Sequence, residues 1–182
     1  RFYQRLLENN IRLITTPEEY ELMHIFPNVY ELLKEDTAKM EIYPLHTQIN
    51  VDSIKHTMDR FMVKDYVKSV KGTEFPKYFD KDITQEEFDQ WMEVFYKYRG
   101  NLLTGGICIK EYLNLNIIAP LPPQQLLEKY SHLESGYYTV DYAELEDGSW
   151  KIIEAGDGQV SGLAEYQDYE QYFKVLYEYL NE

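Results

Sequence analysis

Asp141 stands six residues before the dipeptide Asp147-Gly148, and Glu154 stands six residues after it. The flanking runs, Tyr137-Tyr138-Thr139-Val140-Asp141-Tyr142-Ala143-Glu144-Leu145 and Trp150-Lys151-Ile152-Ile153-Glu154-Ala155, are rich in β-branched and aromatic residues, as strands are. Asp-Gly between two such runs is a strong hairpin signal, because both residues tolerate the positive φ of a tight turn. A two-residue turn sets Asp141 directly opposite Glu154 on one face, with Cβ atoms roughly 5 Å apart. Carboxylates so placed repel each other unless a cation sits between them. Mg²⁺ takes a small number of carboxylates and completes its shell with phosphate oxygens and water. Asp157, three residues beyond Glu154, could add a third oxygen. The competing reading is that one of the acids is merely solvated, and the hairpin alone does not decide between them.

Earlier in the chain, Lys64 interrupts the apolar run Phe61-Met62-Val63-Lys64-Asp65-Tyr66-Val67, which reads as a strand. Lys68-Ser69-Val70-Lys71-Gly72 follows as a polar loop ended by glycine. Ammonium groups and loop N–H donors of this kind can hold phosphate oxygens. The Gly-x-x-x-x-Gly-Lys order of a P-loop is absent, and a solvated charge run is the competing reading. Gly105-Gly106 turns the chain into a second strand, Ile107 to Leu113, ending in Lys110-Glu111-Tyr112-Leu113. Backbone groups at such a strand end can meet the edge of an adenine.

The rest reads as alternating helices and strands. Thr16-Pro17-Glu18-Glu19 starts a helix, with a threonine cap and proline at the first helical position. Thr84-Gln85-Glu86-Glu87 is a capping box whose helix runs to about Arg99 and stops at Gly100. Helices are also expected over the first ten residues, from Pro27 to about Lys34, from Pro122 to about His132 and from Tyr169 to Leu180. Short strands are expected at Arg12–Thr15 and near Met40–Tyr43, the latter inside a polar connection over 36–52. Antiparallel strands covered by helices make the fold class α+β.

The net charge is −14, from 32 acidic and 18 basic residues. That sign repels a phosphate backbone or an anionic bilayer, so neither nucleic acid nor membrane is the expected partner. An ATP site here must rest on local lysines, backbone donors and Mg²⁺. One cysteine, Cys108 in an apolar run, excludes an intrachain disulfide framework and a cysteine-cluster zinc site. No apolar stretch approaches the roughly 18 residues of a membrane span, and no signal-peptide pattern opens the chain, so a cytoplasmic location is expected. The chain begins at Arg1 within a helical pattern, and is expected to be part of something longer. Eighteen tyrosines and eight phenylalanines supply the core.

A lysine in an apolar strand, a Ser/Gly loop, a strand ending in Lys-Glu-Tyr-Leu, and Asp141 and Glu154 on a hairpin ending in Gly156-Asp157-Gly158-Gln159-Val160-Ser161-Gly162 come in an order that resembles the ATP-grasp superfamily. The segments 64–71, 105–113 and 138–163 look like its amino-acid-adding, peptide-ligase-like branch. The resemblance implies two α+β lobes with a nucleotide cleft between them. It divides the chain into a partial N-terminal lobe over 1–60, a small ATP-grasp subdomain over 61–113 and a C-terminal subdomain over 114–182. It implies that Lys64 contacts ATP phosphates and that Lys68, Ser69, Lys71 and Gly72 belong to a mobile loop over the β- and γ-phosphates. It further implies that Ile109, Lys110, Glu111, Tyr112 and Leu113 hold adenine, and that Asp141 and Glu154 hold Mg²⁺. The family usually has Asn two residues after the Glu; here Gly156 stands there, with Asp157 beside it as a substitute ligand. Relatives also have a longer stretch in place of Asn114–Pro120, with a strand bearing an arginine. Either that arginine is lacking here or residues around Asn116-Ile117 are missing from this sequence.

The chemistry so implied is phosphorylation of a carboxylate by ATP and displacement of phosphate by an amine, with small molecules or peptides as substrates. The identity of these substrates and the oligomeric state are not legible. The rival reading is a nucleotide-binding or protein-interaction module that has lost ligase activity. A plain α+β domain without nucleotide is a third.

Overall fold

A computed structural model describes residues 1–116, 121–163 and 168–181. In chain order the elements are α1 (Phe2–Glu8), α2 (Pro17–His24), α3 (Phe26–Leu33), β1 (Met40–Tyr43), α4 (Val51–Lys55), β2 (Arg60–Asp65), β3 (Phe79–Asp80), α5 (Gln85–Arg99), β4 (Ile107–Glu111), α6 (Gln124–Lys129), β5 (Tyr138–Glu144), β6 (Trp150–Asp157) and α7 (Tyr169–Leu180). Two antiparallel sheets result: a four-stranded one in the order β1-β4-β2-β3, and the hairpin β5-β6. Helices and antiparallel sheets together make this the α+β protein the sequence implies.

Each sheet has its own core. Under the four-stranded sheet, Phe61, Val63, Ile107 and Ile109 meet Phe88, Met92 and Phe95 of α5, with Phe75 and Phe79 from the β3 region. Phe88, Met92 and Phe95 recur at helical spacing, so one face of α5 is buried and the other solvated. Both threonine caps form as complete capping boxes, Thr16 with Glu19 and Thr84 with Glu87. Under the hairpin, Ile152 and Ala155 pack against Met23 of α2, Val29 and Leu33 of α3, and Tyr130. The first sixty residues are therefore shared. Helices α2 and α3 cover the hairpin, while β1 and α4 join the four-stranded lobe.

Several local expectations are corrected. Residues 12–15 form no strand; the Thr15 hydroxyl is buried and donates to Asp157 Oδ2 at 3.0 Å. Strand β2 stops at Asp65, because the Asp65 carboxylate accepts from the Val67 and Lys68 N–H groups at 2.8 and 2.6 Å and bends the chain. Strand β4 ends at Glu111 rather than Leu113, and α6 spans only Gln124–Lys129. Helix α4, capped by Asn50, and the two-residue β3 are elements the pattern did not announce.

The hairpin turn also differs. Leu145 donates to the Ser149 carbonyl and Gly148 adopts φ 81°, so three residues, not two, form the loop. That alone would move Asp141 off Glu154. A bulge between Asp141 and Tyr142 in the register takes up one extra residue on β6 and restores the pair Asp141↔Glu154.

Candidate functional site

The lobes face each other across a cleft of about 910 Å³. Residues on β2 and β4 form one wall. Lys64 pairs with Cys108 and Met62 with Lys110, so Lys64 and Lys110 point from neighbouring strands to the same side. From the opposite wall come Ile153 and Glu154 of β6. Lys64 Nζ lies 3.6 Å from Glu154 Oε1 and 3.9 Å from the centre of the Phe26 ring. Lys110 donates to the Ile153 carbonyl at 2.5 Å. The β6 bulge thus shapes this wall, turning a main-chain oxygen onto one lysine and a carboxylate onto the other.

Both ammonium groups are largely out of water. Burial pushes the Lys64 pKa down, with Glu154 pulling it back in part. Lys110 is pushed down to about 8, by burial first and by the Lys64 charge second. Desolvated cations attract anions more strongly than solvated ones do, so the floor of this cleft suits phosphate.

Of the residues singled out from the sequence, Lys64, Ser69, Lys71, Gly72, Lys110, Glu111, Tyr112, Leu113 and Glu154 line the cleft together. Gly72 takes φ 71°, a conformation glycine adopts without strain. Ile109 is fully buried in the sheet core, paired with Glu41 and Val63, and does not reach the cleft wall. Lys68 lines instead a smaller pocket of about 100 Å³ on the other side of Glu154, with His24, Phe26, Asp141, Gly156 and Ser161.

The acid pair fits a divalent cation. Asp141 and Glu154 are cross-strand partners lining one pocket. The Asp141 pKa is raised, by desolvation first and then by the Glu154 charge, a repulsion that a cation between them would relieve. Asp157 faces elsewhere: it is fully buried, Oδ2 accepting from Thr15 and Oδ1 from the Gln159 N–H at 2.9 Å. Its carboxylate caps the turn Gly158–Val160. Among the described residues no group of three or more His, Cys, Asp or Glu side chains could hold a metal, so phosphate and water would have to complete the shell. The arginine-bearing strand expected between Asn114 and Pro120 falls partly on residues 117–120, outside the described residues.

Sequence reading missed several participants. Phe26 beneath Lys64, the Ile153 carbonyl, His24 and the side-chain role of Lys110 depend on how the lobes face each other. Asp65 is another. It is fully buried, pairs with Arg99 at 2.7 Å and accepts from the Val67, Lys68 and Thr104 N–H groups. It holds the start of the lysine loop. An acid directly after Lys64 in an apolar strand was the available signal.

Comparison with known proteins agrees with this architecture. Residues 114–176 match the model of an ATP-grasp domain, the third family of one clade of that superfamily. No curated protein matches the chain. Among solved structures, the D-alanine–D-alanine ligase from Bacillus anthracis, complexed with ATP, aligns with TM-score 0.63 at 12% identity, over 99% of this chain and 71% of that one. The D-alanine–D-alanine ligase from Coxiella burnetii aligns with TM-score 0.63 at 10% identity, over 96% of this chain and 58% of that one. The ATP-grasp ligase PsnB, complexed with minimal precursor, Mg and ADP, aligns with TM-score 0.57 at 11% identity, over 99% of this chain and 66% of that one. The chain has the ATP-grasp fold, and through residues 114–176 it groups with an ATP-grasp domain family.

Proposed function

We propose that this chain is an ATP-dependent carboxylate–amine ligase that forms an amide or peptide bond through an acyl phosphate. The observation that carries this is the meeting of two desolvated lysines, Lys64 and Lys110, with the acid pair of the opposite lobe at a cleft of nucleotide size. Solved ATP-grasp ligases of the same fold, bound to ATP or to Mg and ADP, support it.

In this reading adenine lies against Lys110-Glu111-Tyr112-Leu113. The phosphates lie over Lys64, with Ser69, Lys71 and Gly72 covering them and Lys68 approaching from the smaller pocket. Asp141 and Glu154 would hold Mg²⁺, which supplies charge neutralisation at the phosphates. A substrate carboxylate oxygen attacks the γ-phosphorus, the bond to the β-bridging oxygen breaks, and ADP leaves. An amine then attacks the acyl carbon, phosphate departs, and the nitrogen loses a proton. The Lys64 ammonium balances negative charge as it gathers on the bridging oxygen. The loop over 68–72 keeps water from the acyl phosphate.

Calorimetry with Mg-ATP tests the site. Wild type binds, while Lys64→Ala and Glu154→Gln bind at least tenfold more weakly, as expected when a charge-assisted contact worth roughly 1.5–3 kcal/mol is lost. Unchanged affinity in both variants would sink the assignment. ADP release that depends on both a carboxylic acid and an amine then tests ligation. Binding without such turnover favours the alternative, a nucleotide-binding module that has lost ligase activity.

A further inference from the structure

The small pocket beyond Glu154 is separate from the nucleotide cleft and has its own chemistry. It lies between the end of α2, the loop after β2 and the hairpin, and measures about 100 Å³. That is room for a carboxylate on a short stem, not for a nucleotide. Part of the space exists because residue 156 is glycine: a Cβ there would meet nothing nearer than Ser161 Oγ at 4.0 Å.

The donors facing this space can be worked out. Ser161 Oγ donates to the Asp157 carbonyl at 3.1 Å, so the Thr139 hydroxyl, 2.8 Å from Ser161 Oγ, must donate to Ser161. Both hydroxyl protons are thereby used. The donors left are the Lys68 ammonium and the His24 ring, which is half-buried and stacked on Tyr20 at 4.6 Å between ring centres. Neither side chain has a hydrogen bond or ion pair among the described residues. The negative charges are Asp141 and Glu154, and Glu154 is already matched by Lys64 at 3.6 Å. A half-buried donor beside a free cation, next to one compensated and one uncompensated acid, suits a small anion.

We propose that this pocket seats the carboxylate of the acyl substrate, held by Lys68 and His24 beside the metal-holding pair, and that Gly156 limits the size of what enters. As a statement about the substrate this rests on the ligase reading above; as a binding site it can be tested alone.

The test is a titration of wild-type protein with sodium acetate, following the His24 imidazole resonances by NMR. Sodium chloride of equal ionic strength and methylammonium chloride are the controls, and the series is run with and without Mg-ADP. The His24 signals should move saturably with acetate and with neither control. Lys68→Gln, at an exposed position, should weaken acetate roughly tenfold or more. Gly156→Val, at a strand position with no positive φ, should abolish the response by filling the pocket. Dispersed amide spectra establish that each variant is folded. No acetate response, an equal response in folded Gly156→Val, or a response to methylammonium instead would overturn the proposal. A saturable acetate response in protein that does not bind Mg-ADP would overturn the ligase reading while leaving the anion site standing.

Discussion

Lys64 Nζ on β2 sits 3.6 Å from Glu154 Oε1 on β6, so the cation proposed for phosphate and an acid proposed for the metal neutralise each other across the cleft. Lys64 is 8% exposed, whereas the Glu154 side chain is 43% exposed. The pair is consequently lopsided. Lysine bears most of the desolvation, and solvent screens the carboxylate, which limits what the pair adds to stability.

Replacing Lys64 by methionine should therefore separate binding from folding. A buried ammonium is exchanged for an apolar chain of similar length, so thermal unfolding should stay within roughly 3 °C of wild type or rise. Mg-ATP affinity should fall at least tenfold. A fall in melting temperature well beyond that range would show that the ion pair holds the lobes together.

Asp65 and Arg99 should behave in the opposite way. Both Asp65 oxygens are engaged and the residue is fully buried. Asp65→Asn leaves the Arg99 guanidinium without its anion and offers an amide where three N–H groups expect an acceptor. The expected loss is about 3–5 kcal/mol in denaturant unfolding. A loss under about 1 kcal/mol would mean that the loop is held by something else.

Lys110 gives stability a pH dependence of definite sign. Its folded pKa, about 8, lies below the ordinary lysine value of 10.5. Between these values the unfolded chain binds the extra proton, so this group makes stability rise as pH increases through that window. Below about pH 8 the cost of burying the charge is present in full. The relief is at most about 3 kcal/mol. Lys64, Glu154 and Cys108 are the charged or titratable groups acting on it. Denaturant unfolding at pH 7.5 and pH 9.5, buffer values chosen to span roughly that window, should show a rise in wild type that is missing in Lys110→Met. An identical pH response in the two proteins would remove the assignment.

Gly106 and Gly148 make a matched contrast. A Cβ at Gly106 would stand 2.2 Å from the Tyr43 carbonyl oxygen and 2.8 Å from the Tyr66 hydroxyl, whereas one at Gly148 meets nothing within 4 Å. Gly148→Ala carries only the cost of positive φ, about 1 kcal/mol. Gly106→Ala must push β4 from β1 and should cost several times as much, with nucleotide binding lost because β4 carries Lys110. Equal destabilisation in the two would contradict the close approach.

Much of this protein was written locally. Capping boxes at Thr16 and Thr84 depend on residues three apart, and the strands bearing Lys64 and Lys110 announce themselves by apolar runs. The Asp141–Glu154 pairing was legible as well, but by a route the chain does not take. A three-residue loop and a bulge each shift the register by one, and the two shifts cancel. Only the tertiary structure could decide which groups face the cleft. Thr15 and Gln159 lie far from each other in sequence, yet both engage Asp157 and turn its carboxylate inward, away from the acid pair. Phe26 comes beneath Lys64, and His24 reaches the small pocket, because α2 and α3 pack on the hairpin rather than on the sheet that follows them in sequence. Local spacing fixes caps, strands and the side to which a residue points, since these depend on backbone geometry over a few residues. Which distant side chain meets it depends on how two cores pack, and no short stretch of sequence contains that.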